Sequence, residues 1–146
     1  LCKTSNPGSG EFQDLLVSQG NLSDAFGAHT ASKVSANLQP MQQMKLWESV
    51  ALRVSTAWQE QAKADLLLVV GAVYEAELKR VRELAPEITL LVPGVGTQGG
   101  ELQSVLERGK NKSGKGIIVN LSRAIIYAQN PKQVLFDLWK SQNKKG

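Results

Sequence analysis

Apolar and polar residues after position 44 alternate between two patterns, one typical of buried strands and one typical of amphipathic helices. Short continuous apolar runs predict strands covered on both faces at residues 66–70, 89–92 and 116–120. Apolar positions at helical spacing predict helices at residues 44–63, 75–84, 100–107 and 130–139. Trp47 and Trp58 lie on the apolar stripe of the first of these helices, so we expect both in the core. Residues 1–5 fit a first strand, and residues 11–17 fit a short helical turn. This alternation predicts an α/β fold of βαβ units around a parallel sheet.

Residues 18–43 interrupt the alternation. Ser, Asn, Gln, Gly and Ala dominate this segment, and its apolar residues show no period. A stretch of this length without its own structure is uncommon inside a compact domain, so it is either a mobile insertion or a functional lid. We favour the insertion and interpret residues 1–146 as part of a single domain with a polar insertion at about 18–43. His29 lies within it and is more typical of a solvated side chain than of a catalyst.

Composition narrows the class of protein. The chain has 146 residues, is 42% hydrophobic and 21% charged, and carries a formal charge of +4, one Cys and one His. No stretch is long and apolar enough to cross a bilayer, and the lone cysteine, Cys2, cannot form an internal disulfide. Cys2 lies in the proposed first strand, so we expect it to be a small packed residue. We therefore expect a cytoplasmic protein that binds neither a membrane nor a metal. The lysines are interpreted as solvated, although a basic balance also suits anionic ligands: Lys110, Lys112, Lys115, Lys140, Lys144 and Lys145.

A glycine-rich segment follows the second of these buried strands and opens a helix. It reads Pro93, Gly94, Val95, Gly96, Thr97, Gln98, Gly99 and Gly100. Glycines let the main chain approach a ligand closely, and N–H groups at a helix start attract anions, so we favour a phosphate site over a plain turn. The spacing also matches the dinucleotide fingerprint. The required acidic residue about twenty positions later is missing, because that strand reads Ile-Val-Asn-Leu at 118–121.

A second glycine- and lysine-rich segment, residues 109–116, nearly fits a nucleotide-binding P-loop. Gly116 stands where a P-loop has the Ser or Thr that holds magnesium. The segment also precedes a strand, whereas a P-loop follows one. We interpret it as a basic surface loop.

Arg123 follows the carboxyl end of the last predicted strand. Barrel enzymes often build a phosphate site from the loops after their seventh and eighth strands, and a guanidinium binds phosphate in a bidentate way. The alternative is an ordinary surface salt bridge. Because the glycine-rich segment follows the neighbouring strand, we favour phosphate binding for Arg123.

Four segments in order resemble one family. They read Lys-Thr-Ser-Asn-Pro-Gly-Ser at 3–9, Val-Gly-Ala at 70–72, Pro-Gly-Val-Gly-Thr-Gln-Gly-Gly at 93–100 and Ser-Arg-Ala-Ile-Ile-Tyr at 122–127. Together they resemble orotidine 5′-phosphate decarboxylases, in the branch with a Thr-Ser-Asn-Pro-Gly-Ser segment. The resemblance implies a (β/α)8 TIM barrel, a carboxy-lyase that converts orotidine monophosphate to UMP without cofactor, and a homodimer.

The resemblance also implies roles for individual residues. Ser5 would hydrogen-bond the pyrimidine, and Gln98 would reach between base and phosphate. The segment from Pro93 to Gly100 would close over the nucleotide, with Gly94, Val95, Gly96 and Gly99 in its backbone. Arg123, with the backbone of Ser122, would bind the 5′-phosphate.

The chain departs from the family in one important respect. The family's chemistry depends on an Asp-x-Lys-x-x-Asp segment on its third strand, and here no Asp is followed two positions later by Lys. We therefore assign no catalytic residue and expect this chain alone to be inactive. A complete barrel takes about 250 residues, so we expect the carboxyl-terminal half, strands 5–8, which needs an amino-terminal half as its partner.

Two other functions remain open on the residues alone. The first is another phosphate-binding TIM-barrel enzyme. The second is a basic nucleic-acid-binding α/β module, although aromatic residues make up only 5% of the chain and are not interleaved with the basic ones.

Overall fold

A parallel sheet organises the chain. The computed structural model describes residues 1–18, 43–96 and 100–143. Three strands pair in parallel in the order β3, β4, β5, with bounds Leu67–Val69, Thr89–Pro93 and Ile117–Asn120. The first segment extends this sheet beside β3, because Lys3 forms a parallel bridge with Val70. Four consecutive segments thus lie parallel in chain order, which confirms the predicted α/β fold with a parallel sheet.

Helices connect these strands. Their bounds are Ser9–Gln13 (α1), Leu46–Arg53 (α2), Gln59–Gln61 (α3), Glu75–Leu84 (α4), Leu102–Gly109 (α5), Arg123–Ile126 (α6) and Pro131–Asn143 (α7). A π-helical segment, Val54–Trp58, joins α2 to α3. Two short antiparallel strands, β1 (Leu16–Ser18) and β2 (Gln43–Lys45), flank the polar segment. The prediction at 75–84 is confirmed to the residue, and the helices predicted at 44–63, 100–107 and 130–139 are offset by a few positions. The helical turn predicted at 11–17 is wrong beyond Gln13, because Leu16–Ser18 pairs with Gln43–Lys45 as a strand. Strands β1 and β2 and helix α6 were not predicted.

The apolar core lies on one face of the sheet. Leu68, Val70, Leu90 and Val92 are buried beneath helices α2, α4 and α5. On the opposite face, Leu67 and Ile118 are 47% and 49% exposed. Successive strand residues point to opposite faces, and the described helices cover only one of them. The prediction of strands buried on both faces is therefore wrong for the described residues.

Two tryptophans predicted to share the buried stripe of one helix have different surroundings. Trp47 is 4% exposed and belongs to the core, as predicted, but Trp58 is 40% exposed. The π-helical segment ends at Trp58, and its wider turn breaks the 3.6-residue spacing on which that prediction rested.

The Cys2 Sγ donates to the Trp47 carbonyl oxygen at 3.3 Å, and burial raises the pKa of its thiol to about 12. Cys2 is thus a small packed residue, as predicted.

The start of α7 has the cap that its sequence suggests. Asn130 Oδ1 accepts a hydrogen bond from the Gln133 N–H at 3.1 Å at the start of α7, and Pro131 is the first helical residue.

The loop before β5 is organised by Asn111, whose Oδ1 accepts from the Lys115 N–H at 2.9 Å. Lys112 and Lys115 in that loop are exposed. The interpretation as a basic surface loop is confirmed.

Arg82, near the end of α4, joins the ends of several elements. Its guanidinium donates to five main-chain carbonyl oxygens at 2.7–3.0 Å, those of Ala85, Pro86, Ile88, Gly109 and Gly116. Partial burial lowers the pKa of Arg82 from its ordinary value. The carbonyls of Ala85 and Gly109 lie at the carboxyl ends of α4 and α5, where a cation is favourable. One side chain thus fixes two helices against the starts of β4 and β5.

Candidate functional site

The predicted site residues in the described ranges lie along one edge of the sheet, where its parallel segments end. Gly71 lies against Ser5, because a Cβ at Gly71 would be 3.5 Å from the Ser5 nitrogen. The Ala72 N–H donates to the Pro93 carbonyl oxygen at 2.9 Å. Gly96 lies against α6, because a Cβ there would be 3.8 Å from the Ala124 Cβ. The edge therefore runs without interruption from Ser5 to the segment that contains Arg123.

A tight turn presents Ser5 at one end of this edge. The Ser9 N–H donates to the Asn6 carbonyl oxygen at 3.0 Å, which closes a turn with Pro7 and Gly8 in its two central positions. Gly8 has φ 78° and ψ −6°, a conformation that favours glycine at the third position of a type II turn. Ser5 is exposed immediately before this turn. The turn thus explains why proline and glycine occupy positions 7 and 8 in the Lys-Thr-Ser-Asn-Pro-Gly-Ser segment.

The described ends of the glycine-rich segment lie next to each other. Val95 forms a parallel bridge with Gly100, and the Gly96 N–H donates to the Gly100 carbonyl oxygen at 2.8 Å. Gly94 and Gly96 have φ values of 93° and 81°, which side chains rarely tolerate. The predicted contacts of Gln98 and Gly99 lie outside the described residues, as does Thr97. The structure therefore places the base of this loop next to the candidate phosphate-binding segment.

Replacing Gly100 with alanine is expected to destabilise the base of this loop. A Cβ at Gly100 would collide with the Ala72 Cβ and lie 3.1 Å from the Ala72 carbonyl carbon. Overpacking of this kind costs about 1–3 kcal/mol. Thermal unfolding of Gly100→Ala should show the loss, and the double variant with Ala72→Gly should recover part of it. Equal stability of Gly100→Ala and the parent protein would contradict the packing argument.

Arg123 stands at the other end of the edge and is exposed. The Ser122 Oγ donates to Asn120 Oδ1 at 3.1 Å, and the Ser122 carbonyl oxygen accepts from the N–H groups of Ile125 and Ile126. Across residues 1–18, 43–96 and 100–143, the Arg123 guanidinium makes no ion pair. The surface salt bridge that was the alternative interpretation thus has no support in these ranges. The guanidinium is available to an anion beside the glycine-rich loop.

Sequence reasoning missed the side chains that support Ser5. Gln13 contacts Thr4 with both atoms of its amide, and Asp14 forms an ion pair with Lys3 at 2.7 Å. No sequence signal marks this support, because Gln13 and Asp14 are ordinary polar residues of a short helix. Their role depends on how α1 folds back on the first segment.

Other classes of site find no support in the part of the chain that the structure describes. No helix there is long and apolar enough to cross a membrane. No group of three His, Cys, Asp or Glu side chains there is arranged to hold a metal ion. The predicted site residues at this edge are Ser5, the glycine-rich segment and Arg123.

Curated proteins similar to the chain share one name. The sequence is 41% identical over 133 residues to an orotidine 5′-phosphate decarboxylase of Leptothrix cholodnii, covering 88% of this chain and 39% of that protein. It is 38% identical over 128 residues to the same enzyme of Dechloromonas aromatica, covering 88% of this chain and 38% of that protein. No protein-family model matches the chain. The chain thus spans about two-fifths of the length of these relatives, and the resemblance predicted from its motifs is confirmed.

Solved structures agree with this result. The Leishmania donovani UMP synthase superposes with a TM-score of 0.71 at 33% identity, covering 97% of this chain and 26% of that one. The Leishmania donovani OMP decarboxylase superposes with a TM-score of 0.69 at 30% identity, covering 97% of this chain and 44% of that one. The chain therefore shares both sequence and an α/β fold with these enzymes over nearly its whole length.

Proposed function

We propose that this chain is the nucleotide-binding, carboxyl-terminal part of an orotidine 5′-phosphate decarboxylase, which converts orotidine monophosphate to UMP and carbon dioxide. One observation carries the proposal: Ser5, the glycine-rich loop and Arg123 share one edge of the sheet, in a chain similar to these enzymes. The alternatives of another phosphate-binding barrel or a nucleic-acid-binding module are not favoured, because the similar proteins are orotidine 5′-phosphate decarboxylases or, in one solved structure, a UMP synthase.

The arrangement suits a ligand with a base at one end and a phosphate at the other. Ser5 and Arg123 lie at the two ends of a row of four parallel segments, roughly three strand spacings of 4.8 Å apart along the sheet. Arg123 binds the phosphate through a guanidinium fork, helped by the backbone of Ser122 and the neighbouring loop. Ser5 binds the pyrimidine, and Gln98 reaches between the two.

Binding at these two ends serves the chemistry elsewhere in the active site. Contacts to the phosphate and the base do not touch the carboxylate that leaves. Their binding energy holds the substrate in the orientation that the reacting groups require, which is how remote contacts contribute to rate. In this proposal the lysine that protonates the substrate belongs to an amino-terminal part with the Asp-x-Lys-x-x-Asp segment.

The uncovered surfaces support an amino-terminal half of the same barrel domain. Leu67 and Ile118 are half exposed on the second face of the sheet, and α7 exposes Leu135, Phe136 and Trp139. Neither the outer side of the first segment nor that of β5 pairs with another described strand. Apolar surface and open strand edges of this kind favour association. Four further strands would close a (β/α)8 barrel, with residues 18–43 as an insertion and a cytoplasmic homodimer as the final assembly.

Complementation tests this function. The chain is mixed or co-expressed with the amino-terminal half of the Leptothrix cholodnii relative, and UMP formation from orotidine monophosphate is measured. The mixture is expected to turn over substrate, whereas the chain alone is not. The control is the same half with alanine in place of the lysine of its Asp-x-Lys-x-x-Asp segment. Turnover by this chain alone would show that its reacting group lies within the 146 residues.

A further inference from the structure

The residue before Ser5 is held by side chains of α1. The Thr4 N–H donates to Gln13 Oε1 at 3.0 Å, and Gln13 Nε2 donates to Thr4 Oγ1 at 3.0 Å. The Ser9 Oγ donates to the Thr4 carbonyl oxygen at 2.7 Å. All three polar groups of Thr4 are therefore bonded by two residues of one short helix.

Backbone pairing of the first segment beside β3 reaches Lys3, and side chains of α1 hold the next residue, Thr4. The N–H groups of Cys2 and Lys3 both donate to the Val69 carbonyl oxygen, at 3.0 and 3.2 Å, as in a β-bulge. The Gly71 N–H then donates to the Lys3 carbonyl oxygen at 2.8 Å. Three residues later the chain enters the turn closed by Asn6 and Ser9, so the backbone that carries Ser5 leaves the sheet here.

An ion pair fixes α1 in this position. Lys3 is 2% exposed, and its Nζ lies 2.7 Å from Asp14 Oδ2 and 4.9 Å from the centre of the Tyr74 ring. The hydrogen bond from Lys3 lowers the pKa of Asp14, so its carboxylate stays ionised beside the lysine. Asp14 directly follows Gln13 at the end of α1. The ion pair thus holds the amide of Gln13 opposite Thr4.

The helix α1 buries no side chain, and Phe12 within it is 70% exposed. Apolar packing therefore does not determine where α1 lies, whereas its polar contacts reach the residue next to Ser5. We propose that Gln13 is a positioning residue, which holds Thr4 so that the Ser5 hydroxyl faces the pyrimidine. This inference rests on the function proposed above and adds to it a residue that acts through Ser5 without touching the substrate.

The test compares two ligands in the assembly of this chain with the amino-terminal half used for complementation. Gln13→Ala is expected to weaken UMP binding about tenfold, the effect of one hydrogen bond to the base, and to leave ribose 5-phosphate binding unchanged. In a Ser5→Ala background, Gln13→Ala should add nothing further. Gln13→Glu keeps an oxygen that accepts from the Thr4 N–H, so it should restore most of the UMP affinity. Gln103→Ala, at an exposed helical glutamine bonded to Glu107, is the matched control.

The possible failures are distinguishable. Equal losses for UMP and ribose 5-phosphate, or additive effects of Gln13→Ala and Ser5→Ala, overturn the positioning role alone. Failure of the parent protein to bind UMP overturns the proposed function and this inference with it. Should Gln13→Ala unfold, Gln13→Met, which fills a similar volume but has neither amide atom, gives the same comparison in the same two backgrounds.

Discussion

Replacing Arg123 with alanine is expected to weaken UMP binding by about 10- to 100-fold, because a hydrogen bond from a charged group contributes about 1.5–3 kcal/mol. The structure supports this expectation through three features of Arg123. It is exposed, it has no ion-pair partner in the described ranges, and its helix lies against Gly96. Titration calorimetry with UMP, on this chain assembled with the amino-terminal half used for complementation, measures the effect.

Three comparisons make the Arg123 prediction specific. Arg123→Lys keeps the charge but loses the fork, so it should recover only part of the affinity. Uridine carries no phosphate, and its binding should be the same in Arg123→Ala and the parent protein. Arg80→Ala is the matched control, because Arg80 is exposed and pairs with Glu48 and Glu83 outside the site. Unchanged UMP affinity in Arg123→Ala would remove the residue from the proposed phosphate site.

Helix α4 and strand β4 are predictable from sequence, because the spacing of their apolar residues matches the positions that the fold buries. In α4 the buried residues Leu78 and Val81 lie three positions apart and acidic residues occupy the first turn, so its bounds were correct. Strand β4 is an uninterrupted apolar run closed by Pro93, and it was also found. Strand exposure was not predictable in this way. Whether Leu67 is covered depends on which elements lie over the sheet, and its own sequence does not encode that.

The candidate site was predictable as a set of positions, but its support was not. Carboxyl ends of parallel strands share an edge, so the glycine-rich segment and Arg123 were expected to lie together, whereas Ser5 and Ser122 were added by the family resemblance. The contacts of Gln13 with Thr4 come from the path of the chain after a turn. Similarly, Trp58 followed the helical period in sequence but is exposed, because a π-helical segment changed that period. Local patterns do not record such tertiary arrangements.

Arg82 is the clearest case of a residue whose importance no local pattern shows. In sequence it is one of several charged residues in a charged helix, and α4 also contains Lys79, Arg80 and Glu83. Its partners are main-chain carbonyl oxygens. Every residue type has one, so the sequence does not identify these partners. Two of them, those of Gly109 and Gly116, lie 27 and 34 positions away. Its guanidinium donates to carbonyl oxygens at the ends of α4 and α5, as a helix cap does. It also donates to carbonyl oxygens just before β4 and β5.

Replacing Arg82 with alanine is therefore expected to lower the free energy of unfolding by about 2–4 kcal/mol, because partly buried carbonyl oxygens lose their donors. Urea unfolding of the same assembly measures the change. Arg82→Lys should recover little, since an ammonium has three donors and no planar fork to reach five carbonyl oxygens. Arg80→Ala, two positions earlier on the same helix, removes exposed ion pairs and should cost less than about 1 kcal/mol. Similar losses for the two alanine variants would mean that the carbonyl contacts of Arg82 contribute no more than a surface salt bridge.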